Sequence, residues 1–231
     1  MNQIEYGGRD NLEVMQEAKN YNRFLLDLVL AAARHDELLV DFGAGSGTFS
    51  LPVAAAGYRV ICVETDPVLF ANLAERGLEV VSSLDLLEDN SVDYLYSLNV
   101  LEHIEDDEAI ARLWFQKLRP GGQLLVYVPA FQALYSSMDR KVGHVRRYTR
   151  RMLCDRLTHA GFKVNTARYA DSIGVLATLI YKTLDKGRGD VNLSMLRLYD
   201  RWVFPISHLI DHVAQLLAGK NVWARAVKPA L

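Results

Sequence analysis

The sequence predicts a doubly wound α/β fold on a mostly parallel sheet, and three observations carry that prediction. Apolar runs of strand length alternate with segments of helical periodicity. The connections between them are short. A glycine-rich pentad, Gly43-Ala44-Gly45-Ser46-Gly47, follows directly on the apolar run Leu38 to Phe42. With 231 residues, 50% of them apolar, the chain can bury such a core in one domain.

The elements follow in order. Residues 11–34 hold Leu12, Met15, Leu25, Leu26, Leu28 and Val29 at helical spacing, which predicts one or two leading helices in a cap over residues 1–36. A core over 37–130 reads as strands at 37–42, 58–64, 78–82, 92–98 and 122–129, with helices at 47–56, 67–76 and 106–118. Pro120-Gly121-Gly122 marks the turn into the fifth strand. In the half from 131 to 231, Tyr135 to Gly143 reads as a polar loop, followed by a basic stretch and a helix over 149–160. Gly161-Phe162 opens a sixth strand through 168, and Val222 to Val227 forms a last strand, antiparallel beside the sixth and fifth. Between these two strands, an insertion over 170–219 reads as helices at 172–186 and 193–218, the second interrupted by Pro205. That is long for a connection, and such a segment is expected to be a lid or a substrate wall.

Composition narrows the function classes. A net charge of −2 lacks the basic footprint of a nucleic-acid binder. Cys62 and Cys154 are too few for a disulfide framework and read as reduced residues. The segment with Asn2, Glu5, Arg9 and Asp10 has no apolar signal-peptide core. No uncharged apolar run reaches the roughly 18 residues of a spanning helix, so a cytoplasmic protein is expected.

The pentad is a nucleotide-type turn. Glycines at alternate positions let the backbone turn tightly and approach a ligand with no Cβ in the way. A dinucleotide fingerprint needs G-x-G-x-x-G, but the position three after Gly45 is Thr48. Glu64 ends the second strand at the distance expected of a carboxylate that accepts two hydrogen bonds from a ribose diol.

The segment Val40-Asp41-Phe42-Gly43-Ala44-Gly45-Ser46-Gly47, with Glu64, resembles the first two motifs of class I S-adenosylmethionine-dependent methyltransferases. Further matches follow in order: Ser91-Val92-Asp93-Tyr94, then Asn99-Val100-Leu101-Glu102-His103-Ile104, then Leu118-Arg119-Pro120-Gly121-Gly122. The chain resembles a bacterial branch of the methyltransferase type 11/12 kind. The resemblance implies a seven-stranded sheet of order 3-2-1-4-5-7-6 with strand 7 antiparallel, and S-adenosylmethionine as cofactor. It implies that amides around Gly43, Ala44, Gly45 and Gly47 approach the methionine moiety and ribose, with Asp41 orienting the turn. Glu64 would hold the ribose hydroxyls, Thr65 and Asp66 would flank the adenine, and Ser83 and Leu84 would contact it. Asn99 would face the methionine end, where Tyr21 of the leading helix would bring its hydroxyl or, alternatively, serve only as a packing aromatic.

Methyl transfer is an in-line displacement in which the protein aligns nucleophile and methyl group. A hydroxyl acceptor also needs a base, and histidine suits neutral pH. His103 follows Glu102 directly after the fourth strand. The pair resembles one in quinone-biosynthesis O-methyltransferases, where a further acid stands three residues before the glutamate. Here that position is Asn99, so no metal is expected; the alternative role of Glu102-His103 is to cap the following turn. His144 lies in Gly143-His144-Val145-Arg146-Arg147-Tyr148-Thr149, within a stretch from Asp139 to Arg156 that carries seven basic residues against two acidic ones. Arg146, Arg147 and Tyr148, with Tyr135, are expected in the acceptor pocket, where they would suit a phosphate or carboxylate. Arg150, Arg151 and Arg156 read as a solvated helix face.

The reading that results is transfer of a methyl group to an oxygen of a small or lipid-like acceptor, with an anionic acceptor as one form. The alternatives are an NAD-dependent oxidoreductase in the same crevice, against which Thr48 and the Asn99–Ile104 block argue, and a non-catalytic cofactor-binding module. For the insertion, packing over the sheet edge is favoured over membrane contact, because Asp200 and Asp211 offset Arg197 and Arg201.

Overall fold

The computed structural model describes residues 14–184, 189 and 192–230. Leu12 and residues 1–13 generally, together with 185–188, 190, 191 and 231, lie outside the described residues.

Seven strands form one sheet in the order β3-β2-β1-β4-β5-β7-β6. They are β1 (Leu38–Phe42), β2 (Arg59–Val63), β3 (Glu79–Val81), β4 (Val92–Leu98), β5 (Leu118–Pro129), β6 (Lys163–Ala170) and β7 (Asn221–Val227). The first five pair parallel, and β7 runs antiparallel to both β5 and β6. The expected strand order and the antiparallel seventh strand are both found. The central strands read as unbroken apolar runs because both faces are covered. Val40, Leu95, Leu124 and Val126 point into one buried layer, with Trp114, Leu153 and Leu157. Leu39, Tyr94, Tyr96, Leu125 and Tyr127 point into the other, with Leu25 and Val29. Successive strand residues thus alternate between layers, as the pleat requires.

The helices are α1 (Lys19–Leu30), α2 (Ser50–Ala55), α3 (Pro67–Glu75), α4 (Asp107–Lys117), α5 (Ser137–Val142), α6 (Arg150–His159), α7 (Ser172–Leu184), α8 (Leu193–Leu198) and α9 (Phe204–Ala214). Asp66, Asp106 and Thr149 cap α3, α4 and α6 by accepting backbone N–H groups of the first turn. Three elements differ from expectation. Strand β5 begins at Leu118 rather than 122, so Pro120-Gly121-Gly122 lies within it. The loop expected over 135–143 contains α5, made by a Ser136–Asp139 capping box at its start and a left-handed Gly143 (φ 82°) at its end. The helix after the glycine turn begins at Ser50 rather than 47, with Pro52 in its first turn, where a missing N–H is tolerated. Pro205 sits in the first turn of α9, and a π-helical turn, Tyr199–Val203, joins it to α8. No helix among the described residues is long and apolar enough to cross a membrane.

Three non-glycine residues with positive φ, namely Asn99 (55°), Phe131 (59°) and Asp171 (59°), stand just beyond the ends of β4, β5 and β6. Sharp turns of this kind are uncommon outside glycine and cluster at functional edges. Because β7 is antiparallel, its first residue, Asn221, lies at this same edge, opposite Pro129 and Ala170.

Candidate active site

The crevice at the carboxyl edge divides into two adjoining cavities that share Gly43, Gly45, Asn99 and His103. The larger, about 490 Å³, is walled by Glu64, Thr65, Asp66, Ser83 and Leu84, with Ile104 and Leu113. The smaller, about 220 Å³, is bounded by Tyr21, Asp41, Ala44, Glu102, His144 and Arg147, among others.

The glycine turn builds the wall between them. Gly43, Gly45 and Gly47 all have positive φ (80°, 57° and 79°). A Cβ on Gly43 would collide with the Val100 side chain, so only glycine lets the turn pass beneath the 99–104 block. Gly43 and Ala44 donate their N–H groups to the Val63 carbonyl at 2.9 and 3.2 Å, which docks the turn onto β2. Gly47 lines neither cavity: a Cβ there would meet Leu73 and Leu51, so its part is packing against α3 and α2.

Glu64 is buried, and each carboxylate oxygen accepts one backbone N–H, from Gly45 at 2.8 Å and Asp66 at 2.8 Å. A carboxylate offers about four lone-pair sites, so acceptor capacity remains for a diol. Asp66 spends Oδ1 on the Val68 and Leu69 amides of α3, and Ser83 Oγ accepts the Asp85 N–H at 3.2 Å. The nucleoside of S-adenosylmethionine suits this larger cavity: polar at the Glu64 end, apolar along Leu69, Leu84, Ile104 and Leu113.

At the smaller cavity, Asp41 accepts a hydrogen bond from Ser50 Oγ. Burial pushes its carboxyl up to about 7, against the hydrogen bonds from Ser50 and Tyr96. Asn99 Nδ2 donates to the Tyr21 hydroxyl at 3.4 Å. Tyr21 also packs edge-on against Tyr127 and Phe204, so it lines the cavity and packs at once.

The two histidines meet, with ring centroids 4.6 Å apart. His144 Nδ1 lies 2.7 Å from Asp139 Oδ1, and its Nε2 lies 3.7 Å from Glu102 Oε1. Both Glu102 oxygens are buried without a hydrogen-bond partner among the described residues, and burial pushes that carboxyl up to about 8. Burial, then the neighbouring His144, lowers His103 to about 4, so its imidazole is neutral at pH 7. The ligand atoms of Glu102, His103 and His144 all lie within 4.8 Å of one another. The expectation of no metal rested on Asn99 in place of a second acid; the structure offers a third donor, His144, from a distant part of the chain.

The basic stretch is corrected in most of its members. Arg146 pairs with Asp107 at 2.7 Å and donates to the Glu105 carbonyl at 2.7 Å. Tyr148 is fully buried, with its hydroxyl on Asp107 Oδ2 at 2.8 Å. Tyr135 donates to the His144 carbonyl at 2.7 Å. None of these three lines either cavity, because Asp107, in the first turn of α4, draws Arg146 and Tyr148 inward and Tyr135 braces the loop. Arg147 does reach the smaller cavity, but its guanidinium is committed to Asp139 through two contacts, at 2.8 and 2.9 Å. Arg156, read as solvated, pairs with Asp107 at 3.2 Å.

Three site residues were not foreseen. Asp139 holds both His144 and Arg147. Lys220 and Asn221, at the start of β7, line the smaller cavity. The Lys220 ammonium makes no hydrogen bond or ion pair among the described residues, and burial lowers its pKa. Asn221 Nδ2 is buried without a hydrogen-bond partner among the described residues. The signal that could have found this pair was the antiparallel seventh strand, which brings its first residues to the ligand edge.

The sequence profile of the methyltransferase domain family matches residues 16–167. The chain belongs to that family. Its sheet order and glycine turn are those of the class I S-adenosylmethionine-dependent methyltransferases, and S-adenosylmethionine is the cofactor. A probable S-adenosylmethionine-dependent methyltransferase of Mycolicibacterium smegmatis is 28% identical to this methyltransferase chain over 158 residues, 65% of this chain and 60% of that protein. A ubiquinone biosynthesis O-methyltransferase of Xanthomonas euvesicatoria is 31% identical over 109 residues, 43% of this chain and 44% of the relative. The chain therefore matches at most about 60% of the length of these two relatives. The fold is shared with a putative methyltransferase of Haloferax volcanii solved with the activator Trm112, at a TM-score of 0.67 and 16% identity, covering 99% of each chain. It is shared also with phosphoethanolamine N-methyltransferase 2 of Haemonchus contortus in complex with S-adenosyl-L-methionine, at 0.61 and 17%, covering 91% of this chain and 52% of that one.

Proposed function

We propose that this chain transfers a methyl group from S-adenosylmethionine to a hydroxyl oxygen of an acceptor that carries an anionic group. The observation that carries the reading is the Asp139–His144 pair, 2.7 Å apart, on the wall of the cavity that adjoins the glycine turn. The cofactor supplies a methyl group already activated on a sulfonium. Glu64, Thr65, Asp66, Ser83 and Leu84 hold its nucleoside in the larger cavity, while Asp41, Asn99 and Tyr21 face its amino-acid end. Asp139 fixes the tautomer of His144 by accepting a hydrogen bond from its Nδ1–H, which leaves Nε2 to accept the acceptor's hydroxyl proton. His103, neutral and at the junction of the two cavities, orients the same hydroxyl. Lys220 and Asn221 supply the cation and amide donors for the acceptor's carboxylate or phosphate, since Arg146 and Arg147 are already paired. The likeness to ubiquinone biosynthesis O-methyltransferases supports oxygen as the methylated atom.

A second reading has Glu102, His103 and His144 hold a divalent cation that binds the acceptor oxygen; their mutual spacing within 4.8 Å favours it.

The test is release of S-adenosylhomocysteine during incubation with a panel of hydroxy acids and hydroxylated phosphates. His144→Asn should lower turnover on a productive acceptor by about 10²–10⁴-fold and leave S-adenosylhomocysteine affinity unchanged. If His144→Asn turns over at the wild-type rate while His103→Ala does not, the base is His103. Loss of turnover in EDTA, restored by a divalent cation, establishes the metal reading. Tight binding of NAD in place of S-adenosylhomocysteine overturns both.

A further inference from the structure

Among the described residues, the insertion turns its acids inward and leaves a row of apolar residues outward. Asp200 accepts the N–H groups of Asn20 and Tyr21 at 3.0 and 2.9 Å, tying the π-helical turn to α1. Asp211 accepts those of Asp171 and Ser172 at 2.7 and 2.9 Å, tying α9 to the start of α7. Both aspartates are buried. Neither acid is on the surface to offset Arg197 and Arg201.

An apolar stripe stands outside. Leu198, Trp202, Ile206, Leu209, Val213 and Leu217 recur at helical spacing along one side of α8, the π-helical turn, α9 and its final turn, and are 54%, 60%, 56%, 70%, 83% and 80% exposed. On α7, Leu176, Leu179 and Ile180 are exposed at i, i+3 and i+4. Soluble monomers rarely leave a contiguous apolar face of this kind uncovered. Among the described residues of the insertion, every exposed charged side chain is a cation: Lys182, Arg197 and Arg201. Arg201 lies over the Trp202 ring, 5.4 Å from its centroid, and Arg197 also pairs with Glu17 of the leading segment.

We propose that the outer face of α7, α8 and α9 rests on an anionic lipid surface. Charge decides between the possible occupants. A two-fold contact with a second copy sets the same patch against itself, and among the described residues of the insertion this patch offers cations with no exposed acid to meet them. Anionic headgroups complement Lys182 and Arg201, while the leucines, Ile206 and Trp202 enter the acyl boundary, as in helices that lie in the interface plane. The insertion ends at Gly219, directly before Lys220 and Asn221 of the smaller cavity. Taken with the proposed methyl transfer, on which this clause rests, the acceptor is an anion carried on a lipid and delivered from that surface.

The experiment is co-sedimentation of the full chain with phosphatidylcholine vesicles, with and without phosphatidylglycerol. Wild type should sediment with the phosphatidylglycerol vesicles and be released as salt rises. The double substitution Leu209→Asp with Val213→Asp should reduce bound protein at least tenfold, and S-adenosylhomocysteine affinity, measured by calorimetry, should stay at the wild-type value and show the fold intact. Lys182→Ala with Arg201→Ala should remove the preference for phosphatidylglycerol. No sedimentation with either vesicle overturns the proposal, and so does equal sedimentation with both. A wild-type dimer that the Asp substitutions convert to monomer, without vesicle binding, assigns the face to a second copy instead. Vesicle binding by a chain that binds no S-adenosylhomocysteine upholds this inference and overturns the methyltransferase reading.

Discussion

The sides of the crevice proposed for cofactor and acceptor are held by different kinds of interaction. From β1 to β3, the groups that shape the larger cavity are bound to backbone amides: Glu64 to those of Gly45 and Asp66, Asp66 to those of Val68 and Leu69. Around the smaller cavity, buried carboxylates hold side chains instead: Asp139 holds His144 and Arg147 of the same loop, and Asp107 joins α4 to Arg146, Arg156 and Tyr148 from a separate segment. A backbone turn can be read along the chain. A buried charge network can be read only once the segments meet.

That contrast can be broken by experiment, and the largest effect belongs to the acceptor side. Asp139→Asn leaves the buried Arg147 guanidinium without its anion, and breaking such a pair costs about 3–5 kcal/mol. Urea unfolding should show that loss, while the sheet, and with it S-adenosylhomocysteine binding in native buffer, is retained. A loss under about 1 kcal/mol would mean the ion pair does not hold this half together.

On the cofactor side the expected effect is smaller and reads out in affinity. Glu64→Ala should weaken S-adenosylhomocysteine binding tenfold or more, taking a charged hydrogen bond as about 1.5–3 kcal/mol. Unchanged affinity by calorimetry would remove the ribose contact from Glu64.

The smallest effect is a pH dependence, and it sharpens the comparison by testing a charge buried on the cofactor side. Burial raises the Asp41 carboxyl to about 7, above its ordinary value of about 3.9. A raised carboxyl pKa contributes stability that is full below about pH 4 and is lost as pH rises through about 7. Asp41→Asn should therefore flatten the fall in stability between those limits. Because an ionised Asp41 would attract the ammonium of the cofactor's amino-acid end, affinity in the wild type should rise with pH over the same window and stay level in the variant. A wild-type affinity independent of pH would place Asp41 outside the ligand's reach.

Much of the fold was legible because its signals are local. Alternation of Leu39, Val40 and Asp41 between layers, and the glycine turn that follows, need only a few consecutive residues to be recognised. The antiparallel last strand was legible as well, yet its consequence for Lys220 and Asn221 was not drawn. Helix α5 was missed although Ser136, Asp139 and Gly143 carry its start and stop signals, because the stretch is short and polar. The acceptor residues were misread for a different reason: a run of arginines looks the same whether it faces a ligand or a buried aspartate.

The sequence by itself determined the alternation of strands and helices, through periodicity, and the place of the glycine turn, through glycine's freedom at positive φ; the strand order followed from the family resemblance that the ordered motifs carry. Only the tertiary structure decided which charges are free. Asp107 and Asp139 take up arginines and Tyr148, Asp200 and Asp211 turn inward onto backbone amides, and Lys220 is left in the cavity without an ion-pair or hydrogen-bond partner among the described residues. The physical reason is that a side chain's charge is spent on whatever packing brings within hydrogen-bond reach, and for Asp107, Asp200 and Asp211 that neighbour comes from another part of the chain.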